Sequence, residues 1–319
     1  MPRPTTSTTL QRPDLGELAY EYLINSPDRG FIGLSLMPVF EVQDQSADYP
    51  KIPIESLIKA KDTVRAPKGN YNRGDWEFET DTYKCEEHGW EEPIDDVEAR
   101  LYSRFFDAEQ IATEICVDTI LRNQERRVAA LLESNTATSN VAVEWSTPAT
   151  ATPRTNIDAA REAMRATYGI LPNVLAMSYK VFRNLINTAE LRDALKYTNP
   201  IEIGSEDAQR RLLAQYFGLD EVLVSAAQRD SAKKGQAFSL ADLWDDEYVH
   251  LVRRSAGGAR LREPVYGRTF LWMEDSPQTV VTETYREEDK RSTIVRARQH
   301  IDEAVIFAGA AYKLGNITA

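Results

Sequence analysis

The chain has 319 residues, of which 42% are hydrophobic and 28% are charged, and its net charge is −12. This length allows one large domain or two smaller ones, and the hydrophobic content is sufficient for a real core. The negative balance argues against a general nucleic-acid binder, which would show a broad basic face, and leaves room only for a local basic strip.

The two cysteines and the N-terminus bear on where the protein is made. Cys85 is predicted on a strand-like run and Cys116 on a helix, so a disulfide framework is not expected and a reducing compartment is favoured. No apolar run approaches the roughly 18 residues of a membrane span. The Thr- and Pro-rich residues 1–10 lack the apolar centre of a signal peptide. We therefore expect synthesis in the cytoplasm and no membrane association.

The chain begins with a segment of residues 1–13 that is predicted to be an extended arm. A short amphipathic helix is predicted over residues 15–25. An apolar, strand-like run follows over residues 31–42 and is interrupted by Pro38. Its character favours a strand that pairs outside its own neighbourhood.

Residues 48–92 suggest a contact between subunits. Residues 49–54 carry two prolines and are predicted as an edge strand, and residues 68–74 form a turn cluster. Apolar and acidic residues alternate over 76–81, which predicts a half-buried strand. The resulting long hairpin has too little apolar content for its own core, and a lone hairpin is marginal in water. We therefore expect it to lie on a neighbouring subunit.

A single helix of about 40 residues is predicted over residues 95–134, because apolar residues recur at steps of three and four with no Gly or Pro between them. Asp95 and Asp96 supply its start signal. A strict heptad is not sustained, so a helix on a broad surface is favoured over a coiled coil. An ordinary long core helix is the alternative. The predicted apolar stripe consists of Val97, Leu101, Phe105, Ala108, Ile111, Ala112, Ile115, Leu121, Val128, Leu131 and Leu132.

Helices and strands alternate after a connector, 135–154, in which Trp145 is the anchor. This alternation predicts an α+β or α/β module. Helices are predicted over 156–168, over 178–197 as one or two helices, and over 205–217; strands are predicted over 172–177, 221–226, 247–253 and 265–273. Three closing strands are predicted over 280–285, 291–298 and 304–314. The charged run 286–290 between the first two is predicted to be a hairpin tip.

Two clusters have the residue types of a chemical site. Cys85 and His88 have the spacing of half a zinc site, but no second pair completes it. Paired acids can perform acid–base chemistry, yet those around Trp90 are interpreted as a solvated face and those around Trp244 as a charged loop. These acids are Glu86, Glu87, Glu91 and Glu92, and then Asp242, Asp245, Asp246 and Glu247.

No other motif indicates catalysis. Gly257-Gly258 lacks the Lys-Ser/Thr of a phosphate loop. The three histidines, His88, His250 and His300, lie far apart in the sequence without a nucleophile motif. We therefore predict no catalytic residue, cofactor or metal, and we favour a structural role.

The order of these elements matches a known family: an arm, a long two-stranded loop, a long helix, a mixed module and closing strands. Local sequence matches accompany that order in the runs 31–33, 49–50, 65–67, 81–88, 172–175 and 308–314, with Pro38 in the arm. On these grounds the chain resembles the major capsid proteins of tailed bacteriophages, which have the Hong Kong 97-type fold.

The resemblance implies an α+β fold divided into four parts. These are an N-terminal arm over residues 1–47, an E-loop over 48–92, a peripheral domain over 93–170 and 276–319 that carries the spine helix, and an axial domain over 171–275. It implies self-assembly into pentamers and hexamers of an icosahedral shell around packaged double-stranded DNA, without catalysis. Its expected partners are other copies, a separate scaffolding protein, a portal protein and the packaged DNA, in a virion assembled in the host cytoplasm. Whether a decoration protein binds outside the shell is left open.

Two groups of residues are expected to meet other copies. The E-loop contacts are Tyr49, Arg65, Lys68, Arg73 and Trp76. The second group, at the hairpin tip where capsomers meet, is Glu287, Glu288 and Lys290.

The sequence departs from some relatives in two respects. The first residues are too few and too rich in Thr and Pro for a helical leader that acts as a scaffold, so a separate scaffolding protein or none is expected, with no proteolytic shortening. A covalent cross-link between subunits would need a loop lysine such as Lys59, Lys61 or Lys68, and no partner asparagine is identified.

Two alternatives stay open at this point. One is an encapsulin-like compartment that encloses protein cargo, and the other is a soluble enzyme with an unrecognised site. Shell size and host are not fixed by the sequence.

Overall fold

The computed structural model describes residues 10–24, 30–51, 53, 58–65, 67–74, 78–103, 107–196, 205–233, 235–255 and 263–318. The elements of the first half are β1 Leu10–Gln11, α1 Pro13–Ile24, α2 Gly33–Leu36, β2 Val39–Val42, β3 Ser46–Lys51, β4 Glu79–Lys84, β5 Glu86–Asp95, α3 Asp96–Tyr102, α4 Ala108–Ser134, β6 Ala137–Asn140 and α5 Pro153–Tyr168.

The second half alternates helices and strands, as its sequence predicts. Its elements are β7 Val174–Ser178, α6 Tyr179–Asn187, α7 Ala189–Leu195, α8 Glu206–Phe217, β8 Glu221–Ser225, β9 Gln228–Asp230, β10 Leu240–Asp242, β11 Val249–Val252, β12 Gly267–Trp272, β13 Val281–Glu287, β14 Ser292–Val305 and β15 Ala311–Gly315.

The larger sheet is built around β14. In the described part of the chain, its strands follow the order β1, β13, β14, β12 and β2, and β5 pairs with β14 in addition. The pairing of β5 with β14 is antiparallel and extends from Glu86, opposite Ile301, to Asp95, opposite Ser292. Strand β2 joins the far end in parallel to β12. The predicted strand over 31–42 is thus only partly correct, because Gly33–Leu36 is a helical turn and Val39–Val42 is the strand.

The second sheet has the order β6, β15, β11, β7 and β8 among the described strands. It forms a separate core with the helices α5 to α8, in which Trp145, Phe182 and Met177 are fully buried. Strand β15 lies here because it pairs with β11. The prediction of one closing strand over 304–314 was therefore wrong: the chain leaves the larger sheet at Val305 and joins the other sheet at Ala311.

The predicted helix over 95–134 is two helices rather than one. Helix α3 ends at Tyr102, and α4 begins at Ala108, where the side chain of Asp107 accepts a hydrogen bond from the backbone N–H of Glu109. A second N-cap of this kind starts a new helix, because it satisfies backbone donors that a continuous helix would already have paired. Phe105, which was assigned to the apolar stripe, lies outside the described residues.

The buried face of α4 agrees with the predicted stripe in part, since Ala112, Leu121, Val128 and Leu132 are buried as expected. Ile111 and Ile115 are largely exposed, and Val97 and Leu101 of α3 are more exposed still. The observed buried face repeats at steps of four and includes polar side chains, which an apolar count passes over. Its members are Ala112, Thr113, Cys116, Val117, Ile120, Leu121, Gln124, Glu125, Val128, Ala129 and Leu132.

This face of α4 lies on the larger sheet. The Cys116 thiol donates to the carbonyl oxygen of Val295 at 3.7 Å, and Arg127 pairs with Glu303 of β14 at 2.7 Å. The hydroxyl of Tyr266 donates to the carbonyl oxygen of Leu131 at 2.8 Å. The interpretation of a helix resting on a broad surface is therefore confirmed, although the helix is shorter than predicted.

Helix ends follow the local sequence signals closely in the second half. Helix α8 is capped by Ser205 and ends at Gly218, which has a φ of 65°. Helix α5 ends at Gly169, with a φ of 70°. A left-handed residue after the last turn favours glycine, because it has no Cβ. In the described residues, no helix combines the length and apolar character that crossing a bilayer requires.

Candidate assembly surfaces

A two-stranded ribbon carries the long loop of the first half. Strands β3 and β4 pair antiparallel, from Ser46 opposite Lys84 to Lys51 opposite Glu79. Aromatic packing fixes its base to the body, since the Tyr83 ring stacks on Phe270 with centroids 4.6 Å apart. The predicted pair of strands is thus present, but residues 86–92, expected in the same hairpin, belong to β5 of the larger sheet.

The end of this ribbon is a solvent-facing loop. Among the described residues from Ile58 to Gly74, every residue is exposed except Gly69, which is half-buried. Val64 is 78% exposed and Tyr71 is 72% exposed. Such large apolar side chains leave water only when a partner covers them.

Local hydrogen bonds shape the loop without a core. The side chain of Arg65 donates to the backbone carbonyl oxygen of Gly69 at 2.6 Å. The side-chain amide of Asn72 donates to the backbone carbonyl oxygen of Asp62 at 3.0 Å. Lys68 turns the chain with a φ of 65°. Ile58 touches the body, since its Cδ1 atom lies 2.6 Å from where a Cβ at Gly169 would be.

The five E-loop contacts expected from the sequence fall into three classes. Tyr49 does not suit the role: it is 4% exposed and packs against Phe270 of its own chain, and burial raises its pKa to about 12. Its position in a strand with alternating faces places it on the inner one. Trp76 lies outside the described residues. Arg65, Lys68 and Arg73 are exposed on the loop.

The predicted hairpin tip is confirmed as a structure. Strands β13 and β14 pair antiparallel, from Val281 opposite Arg298 to Glu287 opposite Ser292. A short 3-10 turn, Glu288–Lys290, connects them. The Arg286 guanidinium forms a two-pronged ion pair with Asp96 of α3, at 2.6 and 2.7 Å, which lowers the pKa of that carboxyl. Lys290 pairs with Glu287 at 2.7 Å. Glu288 and Lys290 are exposed.

Strand β5 forms an acidic margin of the larger sheet. It carries five carboxylates and no lysine or arginine; these residues are Glu86, Glu87, Glu91, Glu92 and Asp95. Trp90 is 47% exposed. A surface cavity of about 440 Å³ lies here, lined by Glu87, Gly89, Trp90, Glu91, Arg296 and Arg298.

The arginines beside this margin are already paired. Arg296 and Arg298 both donate to the buried Glu283. Burial alone would raise the pKa of Glu283, but the hydrogen bonds from the two arginines lower it. Arg296 also reaches Glu91 at 3.4 Å. Neither Glu86 nor Glu87 has a basic partner within 4.0 Å in the part of the chain that the structure describes.

A buried carboxylate joins three parts of the chain. Glu125 of α4 accepts hydrogen bonds from the backbone N–H groups of Ile32 at 3.0 Å and Gly33 at 2.6 Å, and from Trp244 Nε1 at 2.6 Å. Burial raises its pKa to about 6. Only apolar residues defined the predicted stripe, so this residue was not among its members. The signal available was an acid in phase with that stripe, four residues after Leu121 and three before Val128.

The metal candidates of the sequence, Cys85 and His88, have different surroundings in the fold. The Cys85 thiol is buried and donates to the carbonyl oxygen of Phe270 at 3.7 Å, and burial raises its pKa to about 11. His88 lies on β5 opposite Gln299, and burial lowers its pKa. No cluster of three potential metal ligands occurs among the described residues.

Comparison with known proteins gives consistent matches. A family model described as phage capsid protein matches residues 92–314. The major capsid protein of Burkholderia phage BcepMu is 27% identical over 298 residues, which cover 90% of this chain and 91% of that protein.

Solved structures share the fold along nearly the whole chain. A phage-related protein from Bordetella bronchiseptica RB50 superposes with a TM-score of 0.69 at 20% identity, covering 97% of this chain and 98% of that one. The capsid of Myoviridae phage XM1 superposes with a TM-score of 0.56 at 10% identity, covering 90% and 92%. The mixed helix and sheet architecture is thus that of phage capsid proteins. Because the family model covers well over half of its length, the chain belongs to the phage capsid protein family.

Proposed function

We propose that the chain is a major capsid protein that assembles, through hexamers and pentamers, into a closed icosahedral shell around phage double-stranded DNA. Membership of a capsid family implies a structural role, and the relative from phage BcepMu has the name of a major capsid protein. The observation that carries the proposal is the exposed loop from Ile58 to Gly74, whose apolar side chains are uncovered in a single copy.

The four-part division belongs to the same proposal. In it, the E-loop is the ribbon of β3 and β4 with its exposed end, and Arg65, Lys68 and Arg73 face another copy. Glu287, Glu288 and Lys290 lie where capsomers meet. The peripheral part contains α4 and the larger sheet, and the axial part contains the second sheet with α6 to α8.

The remaining partners are proposed from the family resemblance. A separate scaffolding protein assists assembly, and a portal protein occupies one vertex. The DNA is packaged within, in a virion assembled in the host cytoplasm. A net charge of −12 suits a wall that does not hold its DNA tightly.

The test is the mass of the purified chain, measured by size-exclusion chromatography with light scattering. The proposal predicts particles of megadalton mass that are closed by electron microscopy. A monomer or small oligomer, at any protein concentration and with or without the phage's other assembly proteins, would contradict it. Shells from infected cells that hold a protein cargo in place of DNA would favour a compartment of the encapsulin kind.

A further inference from the structure

The margin formed by β5 has a free edge. Strand β5 pairs with β14 on one side, and no other described strand pairs with it on the other side. An unpaired edge presents backbone N–H and C=O groups to which another chain can add. The strand is ten residues long, so this edge is long enough to hold an extended segment.

The charge of this edge limits what binds there. Its five carboxylates face no lysine or arginine within the strand. His88 adds no positive charge near neutral pH, because burial lowers its pKa. Two β5 edges from different copies would bring these acids together, which is unfavourable. A fitting occupant is therefore basic, and it carries an apolar side chain for the exposed Trp90.

The exposed loop of the same chain has these properties. Between Ile58 and Gly74 it contains five basic residues and one acid, Asp62; the bases are Lys59, Lys61, Arg65, Lys68 and Arg73. Val64 supplies a large exposed apolar side chain, and so does Tyr71, whose ring also lies under the Arg65 guanidinium. In the described residues, none of the five bases has an ion pair within 4.0 Å with a carboxylate of its own chain.

The loop and β5 of one copy follow opposite ends of the ribbon formed by β3 and β4. The loop lies at the far end of the ribbon, whereas β5 follows β4 after Cys85 at the near end. A six-residue strand such as β4 spans about 20 Å. Ile58 of the loop lies against the end of α5 at Gly169.

We propose that the basic loop, residues 58–74, of one copy lies along the acidic edge strand β5 of a second copy. This inference rests on the proposed self-assembly and names the surface that receives the loop. Opposite charges across the contact set its register, and Val64 or Tyr71 covers Trp90. The contact weakens with added salt, because exposed charges are screened.

The test uses two double variants. Glu86→Lys/Glu87→Lys reverses the edge at two exposed acids without ion pairs in the described residues, and Lys59→Glu/Lys61→Glu reverses the loop. Each should retain the melting temperature of the parent chain. Each should lose about tenfold or more of its assembled particles, since like charges facing each other across an interface are strongly unfavourable.

Two recombinations show whether the contact joins different copies. The quadruple variant combines Glu86→Lys/Glu87→Lys with Lys59→Glu/Lys61→Glu, so every copy has a basic edge and an acidic loop. Opposite charges then meet again at the contact, and the variant should assemble. An equal mixture of the two double variants should also associate, because each supplies the charge that the other lacks. A quadruple variant that assembles while the mixture stays dissociated would place the contact within one copy and overturn the inference.

A matched control reverses the same number of charges elsewhere. Asp158→Lys/Glu162→Lys lies on the exposed face of α5, where both acids pair with arginines of the same helix. Exposed pairs of this kind contribute little, so this control should assemble as the parent does. Loss of particles in this control would show that net charge, not a local contact, governs assembly, and would overturn the inference. If the double variants of the edge and the loop assemble normally, the inferred contact is wrong, although the proposed shell still stands. If the parent chain itself forms no particles, it is the proposed function that fails.

Discussion

Glu125 is the residue whose environment allows the sharpest test of the fold. Its carboxylate receives three hydrogen bonds, two from backbone N–H groups at the start of α2 and one from Trp244, with no basic group among these partners. The residue thus joins the arm, the long helix and the second module through one buried group. An acid can occupy such a site because backbone and indole N–H donors replace its hydration.

Glu125→Ala should destabilise the chain strongly, because it leaves three buried donors without an acceptor. An orphaned buried donor costs about 1–3 kcal/mol, so we expect a loss of at least about 3 kcal/mol. Urea unfolding measures it, with Glu114→Ala on the same helix as the control. Equal stability of the two variants would contradict the assigned role.

The stability contributed by Glu125 should depend on pH. Burial raises its pKa from 4.5 to about 6, so the folded chain binds this proton more tightly than the unfolded chain. The contribution is full below about pH 4.5 and is lost as the pH rises through about 6, an effect of about 2 kcal/mol. Unfolding free energies of the parent and Glu125→Gln, compared at several pH values, should diverge in this window. A constant difference would show that the carboxyl does not titrate there.

At the scale of elements, the phase of α4 is the feature to test. Ile120 is 4% exposed and Ile115 is 45% exposed, although both are isoleucines on the same helix. Ile120→Ala should therefore cost about 2–5 kcal/mol, and Ile115→Ala much less. Thermal unfolding of the two variants compares them directly. A larger loss of stability for Ile115→Ala than for Ile120→Ala would contradict this assignment of the buried face.

The hairpin tip offers a second test at this scale. Glu287→Lys/Glu288→Lys should leave the subunit folded, because ion pairs in water contribute little, and should impair closure of the shell. Melting curves report the fold, and electron microscopy reports closure. Asp193→Lys/Asp207→Lys, on exposed positions of α7 and α8, is the control. Normal particles from the tip variant would show that the tip makes no contact.

At the scale of the whole molecule, local signals predicted much of the element order. The hairpin at 286–290 and the helix ended by Gly218 depend on residues close in sequence, so their patterns are informative. The break before α4 was missed because Asp107 is one acid among many. The sheet that receives β15 was missed because strand pairing between distant segments leaves little trace in one sequence.

The candidate surfaces were predictable to different degrees. The charged loop was found from its turn residues and low apolar content. Tyr49 was misassigned because a strand with two faces places alternate residues inside, and the sequence does not show which face is buried. The acidic run at β5 was recognised as exposed, but its free edge follows from the pairing with β14, which only the structure shows.

Electron cryomicroscopy of particles assembled from the chain tests the central claim most directly. We predict a closed icosahedral shell in which residues 58–74 bury more area against a neighbouring copy than against their own chain. Particles without closed symmetry, or a shell in which this loop folds back onto its own subunit, would contradict the account.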